Sequence, residues 1–196
     1  MNRNVPFLYY FGKYLLTPLF KFWYRPKIIN KEYIPKTGPF IIAGNHKHVY
    51  DQYLTIIATS RGIHYLAKKE YYDNLLTRWY YRGVGCIFVD RSKKDPHVTE
   101  AAINVLKDGG AIGIFPEGTR NKTTAKLLPF KFGAVSMAQK AGVPIIPFGL
   151  TGDYKFRSHN LTIRYGKPFS VNDMSLEEAN KKLEKEVLKL MEENEK

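Results

Sequence analysis

The sequence predicts an α/β domain, a largely parallel β-sheet flanked by helices on both faces, preceded by an N-terminal segment of different character. Three observations carry this. Short continuous apolar runs such as Phe40–Ala43 (FIIA) and Cys86–Val89 (CIFV) alternate with helical stretches of about ten residues, the pattern of buried parallel strands joined by crossover helices. The punctuation agrees: Pro96 stands at a first helical position, and Gly109-Gly110 and Gly142 stop helices. Finally, 196 residues, 44% of them apolar, suffice to bury the core of one such domain.

Residues 1–30 come first and are read as an amphipathic, membrane-interfacial segment on a domain of residues 31–196. They hold Arg3, Lys13, Lys21, Arg25 and Lys27 and no acidic residue. Val5–Tyr24 (VPFLYYFGKYLLTPLFKFWY) has the length of a bilayer span. Lys13 near its middle would cost at least ~2.5–3.5 kcal/mol in hydrocarbon, and Pro18 breaks or kinks a helix. The many tyrosines and phenylalanines, with Trp23, suit the headgroup boundary instead. No small-residue cleavage site follows, which argues against a secretory signal. The expectation is two short helices lying in one leaflet with their basic residues near lipid phosphates. A helix pair packed on the domain core is the alternative.

The domain then reads as follows. Phe40–Ala43 is a strand, Gln52–Ser60 a helix, His64–Ala67 a strand and Tyr71–Tyr81 a helix. Cys86–Val89 is a strand, and Asp95-Pro96 opens a helix to Lys107. Ala111–Phe115 is a strand, Pro129–Lys140 a helix, and Val143–Leu150 and Leu161–Tyr165 are strands. Ser175 with Glu178 three residues later makes a capping box for a last helix to Glu193. There is no internal repeat and no low-complexity tract.

Charge narrows the function classes. Thirty-one Lys and Arg against 18 Asp and Glu give a net charge of +13, a field that favours nucleic acid, an anionic membrane or phosphorylated substrates. The surplus lies before residue 173, because residues 173–196 hold five lysines against eight acids. Cys86 is the single cysteine, so there is no internal disulfide and no thiolate metal site, which fits a reducing compartment. It falls within an apolar run and reads as core rather than nucleophile.

In open α/β sheets ligands collect beyond the carboxyl ends of the strands. After the first strand stand Asn45, His46, Lys47, His48 and Asp51; after the third, Asp90 and Arg91; after the fourth, Pro116, Glu117, Gly118, Thr119 and Arg120. Singly, each has a bland explanation as a cap, a turn or a local ion pair; their common end of the sheet does not. His46 on the loop and Asp51 in the first helical turn suggest a base and its orienter. Asp51 would accept the Nδ1–H of His46 and leave Nε2 to take a proton. With no Ser or Cys nucleophile beside them, the base would activate a substrate hydroxyl directly. A rival reading takes His46, His48 and Asp51 as part of a metal-binding His-x-His-x-Asp-His motif, but here the Asp comes one residue late and Gln52 fills the final His position.

These blocks resemble those of the glycerolipid acyltransferase family, most of all the bacterial 1-acyl-sn-glycerol-3-phosphate acyltransferases. Asn45–Asp51 matches their Asn-His-x-x-x-x-Asp block. Phe88–Arg91 is similar to the second block, Phe115–Arg120 (FPEGTR) to the third and Val143–Pro147 to the fourth. The resemblance implies a glycerol-3-phosphate acyltransferase-like fold and a lysophospholipid hydroxyl deprotonated by His46, oriented by Asp51, that attacks an acyl thioester. It implies that Arg91 and Arg120 hold the acceptor phosphate, that Glu117, Gly118 and Thr119 help bind the acceptor, and that the fourth block's prolines shape the acyl side. Lys68 is a further candidate for the phosphate site. No metal or cofactor is implied; acyl-CoA or acyl carrier protein is the co-substrate. Family members often carry Ser near Val49, so the Val49-Tyr50 pair leaves acceptor choice open.

The expected function is acyl transfer to the sn-2 hydroxyl of 1-acylglycerol 3-phosphate, giving phosphatidic acid, at the cytoplasmic face of an anionic membrane. The same chemistry on glycerol 3-phosphate or another lysolipid is the alternative. A basic, non-enzymatic binding protein is a third reading. Its nucleic-acid form lacks any RNA-recognition or zinc-finger spacing, and no nucleic acid is expected as partner.

Overall fold

The structure, a computed structural model, describes residues 6–90 and 96–196. Helix α1 (Phe7–Tyr24) leads into a short strand β1 (Lys27–Ile29) and a single 3-10 turn. There follow β2 (Phe40–Gly44), α2 (Asp51–Ala58), β3 (His64–Lys68), α3 (Glu70–Asp73), α4 (Leu75–Gly83) and β4 (Ile87–Val89). The second half is α5 (Pro96–Lys107), β5 (Ala111–Ile114), α6 (Gly133–Ala141), β6 (Ile145–Thr151), β7 (Thr162–Tyr165) and α7 (Leu176–Asn194).

Seven strands form one sheet in the order β1-β7-β6-β2-β5-β3-β4, parallel throughout except for the antiparallel β6–β7 pair. Strand β2 is central and buried along its whole length, which is why it reads as an unbroken apolar run. Its alternate side chains feed two cores. Ile41 and Ala43 pack with Leu106, Val135, Ala138 and Leu183 beneath α5, α6 and α7. Phe40 and Ile42 pack with Leu54, Ile63, Phe148 and Tyr165 beneath α2. Each side of the sheet is thereby sealed by helices, as the sequence predicts.

Helix α7 starts as expected: the Glu178 amide donates to the Ser175 hydroxyl at 3.2 Å, and the Ser175 amide donates to Glu178 Oε2 at 2.9 Å. The sequence misses β1, three residues at the sheet edge that pair Lys27 with Thr162, because so short a strand leaves no periodic signal. The predicted Tyr71–Tyr81 helix is two helices parted at Asn74, and α6 begins four residues later than its Pro129 prediction.

The N-terminal segment is one continuous helix rather than two. Pro18 removes the donor that would reach the Tyr14 carbonyl, yet the helix runs on. In that turn the Thr17 hydroxyl and Tyr53 hydroxyl both donate to the Lys13 carbonyl, at 2.5 and 3.1 Å. Lys13 corrects the expectation that all the basic residues face lipid phosphates. It is 6% exposed, turned towards the domain, and its ammonium donates to the carbonyl of Thr59, the C-cap of α2. A cation at a helix C-terminus is electrostatically favoured, although burial pushes its pKa down to about 8. Tyr9 and Tyr10 also turn inward, while Phe7, Phe11, Tyr14, Leu15, Leu19 and Phe22 are exposed. The helix therefore packs on the domain with one face and presents apolar rings on the other. No helix among the described residues is long and apolar enough to cross a membrane.

Candidate active site

Because β2, β3, β4, β5 and β6 all run the same way, their carboxyl ends share one rim. At Gly44 the end of β2 lies so close to β6 that a Cβ would stand 2.2 Å from the Phe148 carbonyl oxygen, so only glycine fits. Asn45 then locks the two strands together: its amide donates to Leu150 O at 2.8 Å and its carbonyl accepts from Leu150 N at 2.7 Å. The next residue, His46, leaves the sheet at a fixed position.

Asp51, fully buried, lies in the first turn of α2 and reaches back over the loop. Its Oδ2 accepts from His46 Nδ1 at 2.8 Å, from the Lys47 amide at 2.6 Å and from the His48 amide at 2.7 Å. Its Oδ1 accepts from the Tyr154 hydroxyl at 2.7 Å. Four donors thus offset the desolvation of one carboxylate and fix its orientation. With Nδ1–H directed at Asp51, the Nε2 of His46 is the nitrogen left to act as a proton acceptor.

The Phe115–Arg120 segment and the residue after it hold His46 from the other side. The His46 ring stacks on Phe115 at 4.0 Å between centroids. The His46 amide donates to Glu117 Oε1 at 2.7 Å, and its carbonyl accepts from the Asn121 amide at 2.7 Å. The second oxygen of Glu117 accepts from the Leu128 amide at 2.9 Å. Glu117 is 3% exposed; burial raises its pKa, and the amide hydrogen bonds from His46 and Leu128 oppose that rise. Both its oxygens are therefore committed to backbone groups, and its visible work is to hold His46.

His46 opens into a cavity of about 1040 Å³. Lys68, Gly118, Thr119, Arg120 and Lys131 line part of it, and Leu8, Leu16, Leu19, Phe20 and Tyr53 of α1 and α2 line another. Lys68, Thr119, Arg120 and Lys131 are exposed at its edge. Gly118, at φ +71°, turns the chain between them, and the Lys131 side chain passes 3.0 Å from where its Cβ would be. The fourth block's Pro144 precedes β6 and Pro147 lies within it, and neither is in the wall of this cavity. Cys86 does reach the wall, but burial pushes its thiol up to about 12, which keeps it a protonated thiol near neutral pH. His48 stacks on Tyr154 at 4.3 Å, and burial lowers its pKa, with the Arg120 and Lys47 charges acting in the same direction. No group of three or more His, Cys, Asp or Glu among the described residues is arranged to hold a metal ion.

Of the residues the sequence singles out, His46, Lys68, Gly118, Thr119 and Arg120 meet on the cavity, with Asp51 and Glu117 behind His46. Arg91 lies outside the described residues. Two residues of the site escape the sequence reading. Tyr154 stands three residues beyond β6, on the same rim as the other candidates, and a lone tyrosine in a turn carries no signal of its partner 103 residues away. Lys131 is assigned to a helix by sequence and lies instead in the loop before α6, its amide donating to Pro116 O at 2.9 Å.

The class of protein follows from these features together with the chain's likeness to known proteins. The chain belongs to the acyltransferase family, whose profile matches residues 25–151. The 1-acyl-sn-glycerol-3-phosphate acyltransferase of Bacillus subtilis (strain 168) is 32% identical over 158 residues, 76% of each chain. That of Borreliella burgdorferi is 34% identical over 141 residues, 71% of this chain and 56% of its own. This chain spans only 41% of the Saccharomyces cerevisiae relative, to which it is 33% identical over 125 residues. The crystal structure of the 1-acyl-sn-glycerophosphate (LPA) acyltransferase PlsC from Thermotoga maritima matches at a TM-score of 0.74 and 29% identity, covering 92% of this chain and 80% of that one. Fold and relatives together support 1-acyl-sn-glycerol-3-phosphate acyltransferase activity.

Proposed function

We propose that the protein transfers a fatty acyl group from acyl-CoA or acyl carrier protein to the sn-2 hydroxyl of 1-acylglycerol 3-phosphate, giving phosphatidic acid at a membrane surface. The observation that carries this reading is the His46–Asp51 pair facing a cavity whose walls are cationic in one part and apolar in another. Such a cavity suits a molecule with a phosphate and a long chain, and among the described residues the site offers no activated Ser or Cys.

His46 Nε2 accepts the hydroxyl proton as the hydroxyl oxygen attacks the thioester carbonyl. Asp51 stabilises the imidazolium that results and keeps its ring in place. Collapse of the tetrahedral intermediate breaks the C–S bond, and the leaving thiolate takes the proton back from His46. The base thus returns to its starting state without a covalent intermediate on the enzyme. Lys68, Arg120 and Lys131 hold the acceptor phosphate, and Arg91 joins them by resemblance. Arginine suits that role through bidentate hydrogen bonds. Thr119 and Gly118 border the glycerol part, and Glu117 acts through the backbone of His46. Tyr154 is a positioning residue, fixing the second oxygen of Asp51. The outward rings of α1 rest in one leaflet, on the side that acyl thioesters reach, so that acceptor and product never leave the lipid phase.

The experiment is acyl transfer in detergent micelles from palmitoyl thioesters of CoA and carrier protein to a panel of lysolipids and glycerol 3-phosphate, with His46→Ala alongside. Product from 1-acylglycerol 3-phosphate, lost in the variant, is the expected result. Transfer to a different acceptor would overturn the substrate and keep the mechanism. Undiminished turnover by His46→Ala would overturn the mechanism.

A further inference from the structure

Helices α3 and α4 carry a second apolar surface that the acyl-transfer reaction does not use. Leu75 is 75% exposed, Trp79 71% and Tyr80 51%, with Tyr71 and Tyr72 also at the surface. Three large apolar side chains this open on one nine-residue helix exceed the scattered exposure usual for a water-facing helix. The helix contains no acidic residue, whereas Arg78 and Arg82 lie on it and Lys68 and Lys69 just precede α3. The Arg78 guanidinium lies over the Tyr72 ring at 4.4 Å, apolar stem and cation side by side.

The position of this surface matters as much as its composition. Helix α4 touches α1 where Leu8 Cδ2 occupies the space that a Cβ on Gly83 would need, 2.6 Å away. Tyr71, Tyr80 and Tyr81 line the same cavity as Leu8, Leu16 and Leu19 of α1. The reaction cavity is therefore walled by two adjoining elements that turn aromatic rings and cations towards their surroundings; α1 and α4 hold no anion, and on α3 the exposed Glu70 and Asp73 still leave residues 68–83 a net charge of +2.

We infer that α3 and α4 form a second membrane-contacting surface which, with α1, seats the cavity on an anionic phospholipid bilayer. This rests on the reading of α1 as a membrane-facing helix and extends it. Continuity with α1 and complementarity to anionic headgroups favour a bilayer over a protein partner. So do tryptophan and tyrosine, the residues that gather at the headgroup boundary. A lipid moving from the leaflet to His46 would then pass between two helices that both touch the leaflet.

The chain has two tryptophans, one on each surface, and they provide the test. In the Trp23→Phe chain the sole tryptophan is Trp79, and in Trp79→Phe it is Trp23; each is excited selectively over the tyrosines. Each is mixed with vesicles of phosphatidylglycerol and phosphatidylcholine carrying brominated acyl chains. The expected result is a blue shift and quenching of Trp79 comparable with that of Trp23. Quenching of Trp23 without Trp79 would overturn the proposal and leave the α1 reading standing. Quenching of Trp79 alone would keep a membrane-contacting α3–α4 surface but sink the α1 reading and overturn the joint seating with α1, and quenching of neither would sink both. A Leu75→Ser/Trp79→Ser double variant, with unchanged far-ultraviolet circular dichroism, is expected to lose at least about threefold in vesicle co-sedimentation. Undiminished binding by a folded double variant would also overturn the proposal, and equal binding to pure phosphatidylcholine would remove its anionic part.

Discussion

Replacing Asp51 by asparagine tests the mechanism more sharply than removing the base, because the amide conserves shape. Its carbonyl oxygen can still accept from His46 Nδ1 and from the Lys47 and His48 amides. Its NH2 can still donate to the Tyr154 hydroxyl oxygen, in place of the bond Asp51 Oδ1 now accepts at 2.7 Å. What disappears is the negative charge facing the imidazolium that forms at the transition state. With Nδ1 and Oδ2 2.8 Å apart, the charge centres stand roughly 4 Å from each other, worth about 4 kcal/mol at an effective dielectric constant of 20. A neutral hydrogen bond recovers about 1 kcal/mol of this. The remainder lowers kcat by roughly a hundredfold or more, at 1.36 kcal/mol per factor of ten. KM for the acceptor stays unchanged, because Asp51 faces away from the cavity. The assay is CoA release from palmitoyl-CoA with micellar 1-acylglycerol 3-phosphate, alongside thermal unfolding to check that Asp51→Asn folds. A folded variant whose kcat stays within about threefold of the parent would refute the electrostatic role of Asp51.

Two further outcomes follow from contacts seen only in the folded chain. Tyr154→Phe removes a donor from a buried carboxylate, and a hydrogen bond to a charged group contributes about 1.5–3 kcal/mol. Stability should fall by that amount and kcat by about tenfold at constant KM, whereas a fall in stability alone would make Tyr154 merely structural. Lys13→Met removes a buried ammonium whose pKa drops from 10.5 to about 8 on folding. Below pH 8 Lys13 is charged in both states, and the folded parent bears the full cost. Between 8 and 10.5 the folded state sheds the proton while the unfolded chain keeps it, so the parent's stability rises with pH, by up to about 3 kcal/mol. Denaturant unfolding of both proteins across that window should show the parent gaining on the variant, and parallel curves would exclude the effect.

Most of the sheet was legible in the sequence because a strand buried on both faces has no choice but to be apolar throughout, as Phe40–Ala43 and Ile145–Leu150 are. The His46 and Asp51 relation was legible for another reason: five residues is the separation that lets a side chain in the first turn of α2 reach back to the preceding loop. The helix opening at Ser175 was legible because its capping box involves neighbours only.

Elsewhere the deciding contacts join segments far apart in the chain, and there the sequence had nothing to say. Pro18 reads as a break or kink, yet the helix runs on, and beside the interrupted turn the Lys13 carbonyl accepts from Tyr53 on another helix. Lys13 reads as a headgroup contact, and it turns inward because the Thr59 carbonyl at the end of α2 lies within reach. Glu117 reads as a substrate ligand, and the fold instead gives both its oxygens to the amides of His46 and Leu128. Tyr154 enters the site only because β6 lies beside β2 and delivers the following turn to Asp51. By itself, then, the sequence determined the α/β class, the order of the strands along the chain and the residue types at the rim, all properties of local pattern and burial. Which rim residues face the cavity, which hold His46 from behind and which helix faces flank the entrance were decided by the tertiary structure. Those facts depend on distances between residues that the chain itself leaves 40 to 105 positions apart.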